Sequence, residues 1–237
     1  MTSFSISESS INYWIKRLDK FKIAHKEPEQ RFEEVFIYFE DHDGLGLELV
    51  ASKHDERAGF TYGNIPVEYA IKGFYGITLS EEGYQRTAGL LTTQMDHALV
   101  AEKGNRFRYS TNGRAGHFVD LLCNPDALQG LPGAGTIHHV AFATANDATQ
   151  LLAREKLIKH GLNVTPVLDR QYFHSIYFRE PGGVLFEIAT IPPGFAIDEE
   201  PAHLGETLQL PPWEEKHRKI IENELQPIQL DIKKYKD

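Results

Sequence analysis

The chain has 237 residues, 41% of them hydrophobic, which is enough for one large domain or two small ones with real cores. A net charge of -9 and a pI near 5.7 argue against nucleic acid or an anionic membrane as partner. One cysteine, Cys123, rules out an internal disulfide and a four-thiolate zinc site. No apolar run reaches 18 residues, and MTSFSISESS lacks the basic and apolar regions of a signal peptide, so the expected setting is cytoplasmic.

In chain order, one supersecondary unit is expected three times. The first copy opens with TSFSI, continues in a helix over SSINYWIKRLDKF, and closes with EEVFIYFED and LGLELVAS. The second opens with GFYGITLS. Ser80-Glu81-Glu82 reads as its helix start, Leu90 and Leu91 lie on that helix, and HALVAEK, RFRYSTN and GHFVDLLCN follow as strands. The third opens with TIHHVAFAT. A helix is expected from Asp147 to His160, with an apolar stripe of Leu151, Leu152, Ala153, Leu157 and Ile158, stopped at Gly161. Extended stretches NVTPVLDR, HSIYFRE and GVLFEIATI complete it, the last two joined by Glu180-Pro181-Gly182-Gly183, a hairpin signal. The closing strands LGLELVA, HFVDLLC and VLFEIAT carry an acid at matching positions: Glu48, Asp120 and Glu187. These lie 72 and 67 residues apart. The expected segments are 1–60, 70–127 and 133–192. A proline-rich tail, 193–237, follows, with a helix from Trp213 to about Leu225 and a charged terminus.

Within the third copy, alternation places His139 with Ala141 and Ala143, and His138 with Val140 and Phe142. The small residues beside His139 leave room for a ligand. A three-residue hairpin loop pairs Glu180 with Val184 and sets Tyr177 opposite Glu187. A carboxylate in so apolar a strand is either ion-paired, with Arg170 or Arg179 as partner, or bound to a metal. His139 and Glu187 would supply two thirds of a two-His-one-carboxylate triad. His174 and His117 alternate away from the position of a third ligand. No G-x-S-x-G, P-loop, HExxH or dinucleotide fingerprint occurs. Cys123 reads as a small buried hydrophobe rather than a nucleophile.

With these residues in place the chain resembles the vicinal oxygen chelate superfamily, which includes glyoxalase I, fosfomycin and bleomycin resistance proteins and extradiol dioxygenases. GTIHHVAF, DRQYFHSIYFREPGGVLFEIATIPPGFAIDE and LGETLQLPP are most similar to the branch that cleaves hydroquinone rings. The resemblance implies an α+β fold of repeated βαβββ units, forming curved half-barrel sheets with helices outside, plus a C-terminal helix. It also implies Fe(II), bound by His139 and Glu187, with catalytic or substrate-facing roles for His138, Arg170 and Tyr177. The substrates implied are a small aromatic and dioxygen. Members of that branch have four units and this chain has three, so the resemblance implies an incomplete first half and two of three protein ligands. Two consequences are expected: reduced or absent activity of this chain alone, and a homo-oligomer covering the exposed half-barrel face. Two other functions fit the same fold, a quinone- or drug-binding protein without turnover and a glyoxalase-like metal-dependent isomerase.

Overall fold

The computed structural model describes residues 1–60, 64–128 and 130–228. The fold is α+β, as expected, and the chain forms two compact units. One is Met1–His139 with Glu180–Val184, the other Val140–Arg179 with the chain from Leu185 onward.

The first unit is a curled eight-stranded sheet made of two βαβββ modules. The first module is β1 (Thr2–Ile6), α1 (Ile11–Lys20), β2 (Glu29–Arg31), β3 (Glu34–Glu40) and β4 (Gly46–Ala51). The second is β5 (Gly73–Glu81), α2 (Gln85–Gln94), β6 (Ala98–Lys103), β7 (Arg106–Ser110) and β8 (Phe118–Cys123). Strand order is β2-β3-β4-β1-β5-β8-β7-β6. β1 joins the modules, running parallel to β4 and antiparallel to β5, with a register shift between Ser3 and Phe4. Trp14 and Leu18, one helical turn apart on α1, meet Ile6, Ile37 and Leu49. Burying each such side chain contributes about 1.5–3 kcal/mol. Trp14 Nε1 also donates to the Tyr69 carbonyl at 2.9 Å, so its polar edge is satisfied. Lys22, at φ 56°, ends the helical path.

The second unit repeats the module once: β9 (Val140–Thr144), α3 (Asp147–Lys159), β10 (Leu168–Asp169), β11 (His174–Arg179) and β12 (Leu185–Thr190). Its order, β10-β11-β12-β9, is that of β2-β3-β4-β1 and β6-β7-β8-β5. Asn146 and Thr149 close a reciprocal cap on α3. The tail holds single 3-10 turns at Phe195–Ile197, Pro201–His203 and Glu215–His217, then α4 (Arg218–Glu224).

Several local expectations are corrected. Ser80-Glu81-Glu82 does not start a helix: β5 runs through Glu81 beside β8, and α2 begins at Gln85. A hydrophilic triplet can mimic a helix cap while sheet pairing holds the backbone extended. On α3, Leu151, Leu152 and Ile158 are exposed, and the buried residues are Leu157 and Gln150. Gln150 Nε2 donates to the His174 and Ile188 carbonyls at 2.7 and 2.8 Å, fastening the helix to the sheet through a polar group. The stretch NVTPVLDR supplies only the two-residue β10 and a bridge from Val164 to Phe178. The terminal helix is shorter than Trp213–Leu225. Cys123 is half-buried, and its Sγ lies 3.4 Å from the Glu82 carbonyl. The charged terminus falls outside the described residues.

Candidate active site

The hairpin β11–β12 positions Glu187. Its turn is the expected three-residue loop: Glu180 N–H donates to Val184 O at 3.0 Å and Gly183 N–H to Glu180 O at 2.9 Å. Gly183 closes it at φ 99°, a conformation that side chains disfavour. That loop sets the register, and Tyr177 lies opposite Glu187. Glu187 is 3% exposed. Tyr177 Oη donates to its Oε1 at 2.9 Å, and Ser175 Oγ, fully buried, donates to the same oxygen. Sequence reasoning missed Ser175. The signal was present, because residues two apart on a strand share a face.

Arg170 is exposed, and its guanidinium carbon sits 5.5 Å from the Tyr177 ring centroid. Gln171, at φ 67°, turns the chain beside it, and its N–H bonds Asp169 Oδ1 at 2.7 Å. Gln171 Nε2 and Tyr172 Oη both donate to Asp198 Oδ2, at 3.0 and 2.9 Å. Burial and the Asp198 carboxylate push the Tyr172 phenol up from its ordinary pKa.

His138 and His139 are not strand residues. β9 begins at Val140, so the alternation expected for them does not apply. Their Nδ1 atoms lie 2.8 Å apart with the rings nearly perpendicular, one donating and the other accepting. His138 is exposed and His139 half-buried. His174 Nδ1 is 2.7 Å from Asp147 Oδ1, and His117 Nδ1 is 3.2 Å from Thr111 Oγ1.

The matching acids of the first unit sit in different company. Glu48 accepts from Arg31 Nη1 and Nη2 at 2.8 and 2.6 Å and from Ser3 Oγ at 2.6 Å. Asp120 accepts from Arg108 Nε at 2.7 Å, Arg108 Nη2 at 3.1 Å and Arg106 Nη1 at 3.0 Å. Burial alone would weaken the proton affinity of Arg108, but the Asp120 carboxylate more than offsets it and the guanidinium pKa is raised. Burial also pushes up the Tyr75 phenol, which hydrogen-bonds Glu34. These two acids are neutralised by guanidinium groups, whereas the hydrogen bonds described for Glu187 come from hydroxyls.

For a divalent cation, Glu187 offers a buried oxygen donor and His139 a nitrogen donor, the donor types that suit Fe(II). No group of three or more His, Cys, Asp or Glu placed to hold a metal occurs among the described residues. The donor types of the two residues suit such an ion. No described helix is long and apolar enough to cross a membrane.

Residues 7–188 match the model of the Glyoxalase/Bleomycin resistance protein/Dioxygenase superfamily. The chain is 42% identical over 230 residues to the Bacillus subtilis protein named "Putative ring-cleaving dioxygenase MhqO", covering 97% of this chain and 73% of that one. It is 31% identical over 218 residues to chlorohydroquinone/hydroquinone 1,2-dioxygenase of Sphingobium indicum, covering 89% and 67%. A crystal structure of a B. subtilis protein described as a "putative dioxygenase" superposes with a TM-score of 0.91 at 42% identity, over 96% of this chain and 73% of that one.

Proposed function

The chain belongs to the glyoxalase/bleomycin resistance protein/dioxygenase superfamily, and from that membership we propose that it is a ring-cleaving dioxygenase acting on hydroquinone- or catechol-like aromatics. The observation that carries this reading is the 42% identity, across 97% of the chain, to a protein named for ring cleavage. In the proposed reaction a ring carbon–carbon bond beside a hydroxyl breaks, and both atoms of dioxygen enter the product.

The metal this reading implies is Fe(II), and His139 and Glu187 would be among the residues that hold it. When bound, such an ion would supply Lewis-acid and redox chemistry toward the ring hydroxyl and dioxygen. The chain's own residues do the rest. Arg170 counters the charge of the deprotonated ring hydroxyl. Tyr177, whose phenol donates a hydrogen bond to Glu187 Oε1, holds or returns a proton at its phenol oxygen. His138, through its Nδ1 contact, restrains the His139 ring. A cytoplasmic setting and a homo-oligomer belong to the same reading.

The test is oxygen uptake by the chain after anaerobic loading with Fe(II), with hydroquinone and catechol as substrates. Stoichiometric uptake, abolished in His139→Ala and in Glu187→Ala, is expected. Uptake that is absent in the parent chain, or that survives both substitutions, overturns the reading.

A further inference from the structure

Two hydroxyls converge on one atom of Glu187. Ser175 Oγ and Tyr177 Oη both donate to Oε1, from residues two apart on the same face of β11. Ser175 has no exposure to solvent and stands opposite Ala189, beside the Tyr177–Glu187 pair. A carboxylate oxygen that already accepts two hydrogen bonds is a poor second donor to a metal. The two bonds also fix the rotation of the carboxylate plane, because they come from side chains anchored on a paired strand.

The first unit provides the contrast. Ser3 also donates to its strand acid, Glu48, but there Arg31 bonds both carboxylate oxygens, each at 2.8 Å or less. A serine beside an arginine completes an ion pair. A serine paired with a tyrosine, both on one oxygen, gives the carboxylate a defined orientation.

We infer that Ser175 is a positioning residue of the metal site: with Tyr177 it withholds Oε1 and makes Glu187 a one-oxygen ligand. This rests on the proposed role of Glu187 as a metal ligand. Ser175 touches neither substrate nor dioxygen and acts only through Glu187.

Co(II) is a suitable probe, because its visible spectrum reports coordination and its affinity is measured without turnover. The intact chain is titrated alongside Glu187→Ala, Ser175→Ala, Ser175→Cys and Ser175→Thr. In Ser175→Ala, Co(II) affinity is expected to fall by about tenfold to a hundredfold, the usual cost of losing a ligand's hydrogen-bond partner. The visible spectrum should change as Oε1 becomes available, while the melting temperature of the metal-free protein falls by about 3–6 °C, the loss of one hydrogen bond to a buried carboxylate. Ser175→Thr restores affinity and spectrum, and Ser175→Cys, close in size but a weak donor, behaves like Ser175→Ala. A merely structural serine would lower the melting temperature in the same way but leave the spectrum of the bound ion unchanged. If Glu187→Ala abolishes binding while Ser175→Ala and Ser175→Cys match the parent, the positioning role is overturned and the ligand role of Glu187 stands. If the parent binds no Co(II), or Glu187→Ala binds as the parent does, the ligand role fails and the inference falls with it.

Discussion

The three closing strands of this protein carry an acid at one repeated position, yet two units treat it differently. In the eight-stranded sheet Glu48 and Asp120 are 1% and 3% exposed and held by Arg31, Arg106 and Arg108. In the four-stranded sheet Glu187 is as deeply buried, and its described hydrogen bonds come from Ser175 and Tyr177. A buried charge needs compensation, and guanidinium groups give it permanently. Hydroxyls satisfy the oxygen's hydrogen-bonding geometry. The repeat thus holds the same acid position with guanidinium groups in one sheet, while the hydrogen bonds described for it in the other come from hydroxyls.

The sharpest way to break this comparison is to remove the acids. Asp120→Ala leaves Arg108 and Arg106 buried beside a missing carboxylate and is expected to cost about 3–5 kcal/mol of stability. Glu187→Gln, in metal-free protein, keeps an acceptor for the two hydroxyls and removes a buried charge, so it should stay within about 1 kcal/mol of the parent. Urea unfolding of the two variants at pH 7 checks both. Equal losses would mean that Glu187 is a structural ion-pair member like Asp120.

How much of this was legible in the sequence follows the same division. Strand alternation, the spacing of the three acids and the Pro181-Gly182-Gly183 loop were enough to place Tyr177 across from Glu187, because hairpin register depends on local turn geometry. The arginines were not legible. Arg31 closes a three-residue strand with no periodic pattern, and it meets Glu48, 17 residues on, only after the sheet forms. The placement of His138 and His139 was misread because the apolar run TIHHVAFAT extends past the true start of β9 at Val140. Gln150 was invisible as a core residue because its burial depends on two carbonyls from other strands, not on its own polarity.

A further buried acid sharpens the comparison by lacking either solution. Glu81 is 4% exposed, and both its carboxylate oxygens are buried without a hydrogen-bond partner among the described residues. Burial, with the Glu180 carboxylate adding to it and Thr87 offsetting part, pushes its pKa up to about 7. Glu180 itself accepts from Thr87 Oγ1, Gly182 N–H and Val184 N–H. The folded state therefore holds a proton on Glu81 that the unfolded chain releases near the ordinary value of 4.5. Stability from this group is intact below about pH 4.5 and is lost as pH rises through 7, by up to about 3 kcal/mol. Glu81→Gln should remove that dependence and be the more stable protein at pH 8, with little difference at pH 4.5. Chemical unfolding at the two pH values measures it, and parallel curves for parent and variant would sink the assignment.

The smallest effect tests the hydroxyls themselves. Tyr38 and Tyr177 occupy the same register position, opposite Glu48 and Glu187. Tyr38 Oη, however, turns to Glu40 Oε1 at 2.6 Å, which with burial pushes its phenol up to about 12. With Glu48 already held by Arg31, a tyrosine hydroxyl there is not needed to hold the strand acid. Tyr38→Phe removes an exposed bond and should change stability by less than about 0.5 kcal/mol. Tyr177→Phe removes a bond to a buried carboxylate and should cost about 1.5 kcal/mol, the low end for a hydrogen bond to a charged group, since Ser175 still donates to the same oxygen. Urea unfolding of both variants decides it. Indistinguishable losses would mean that the hydroxyl opposite Glu187 does no more than its counterpart opposite Glu48, and that the two sheets use the position alike.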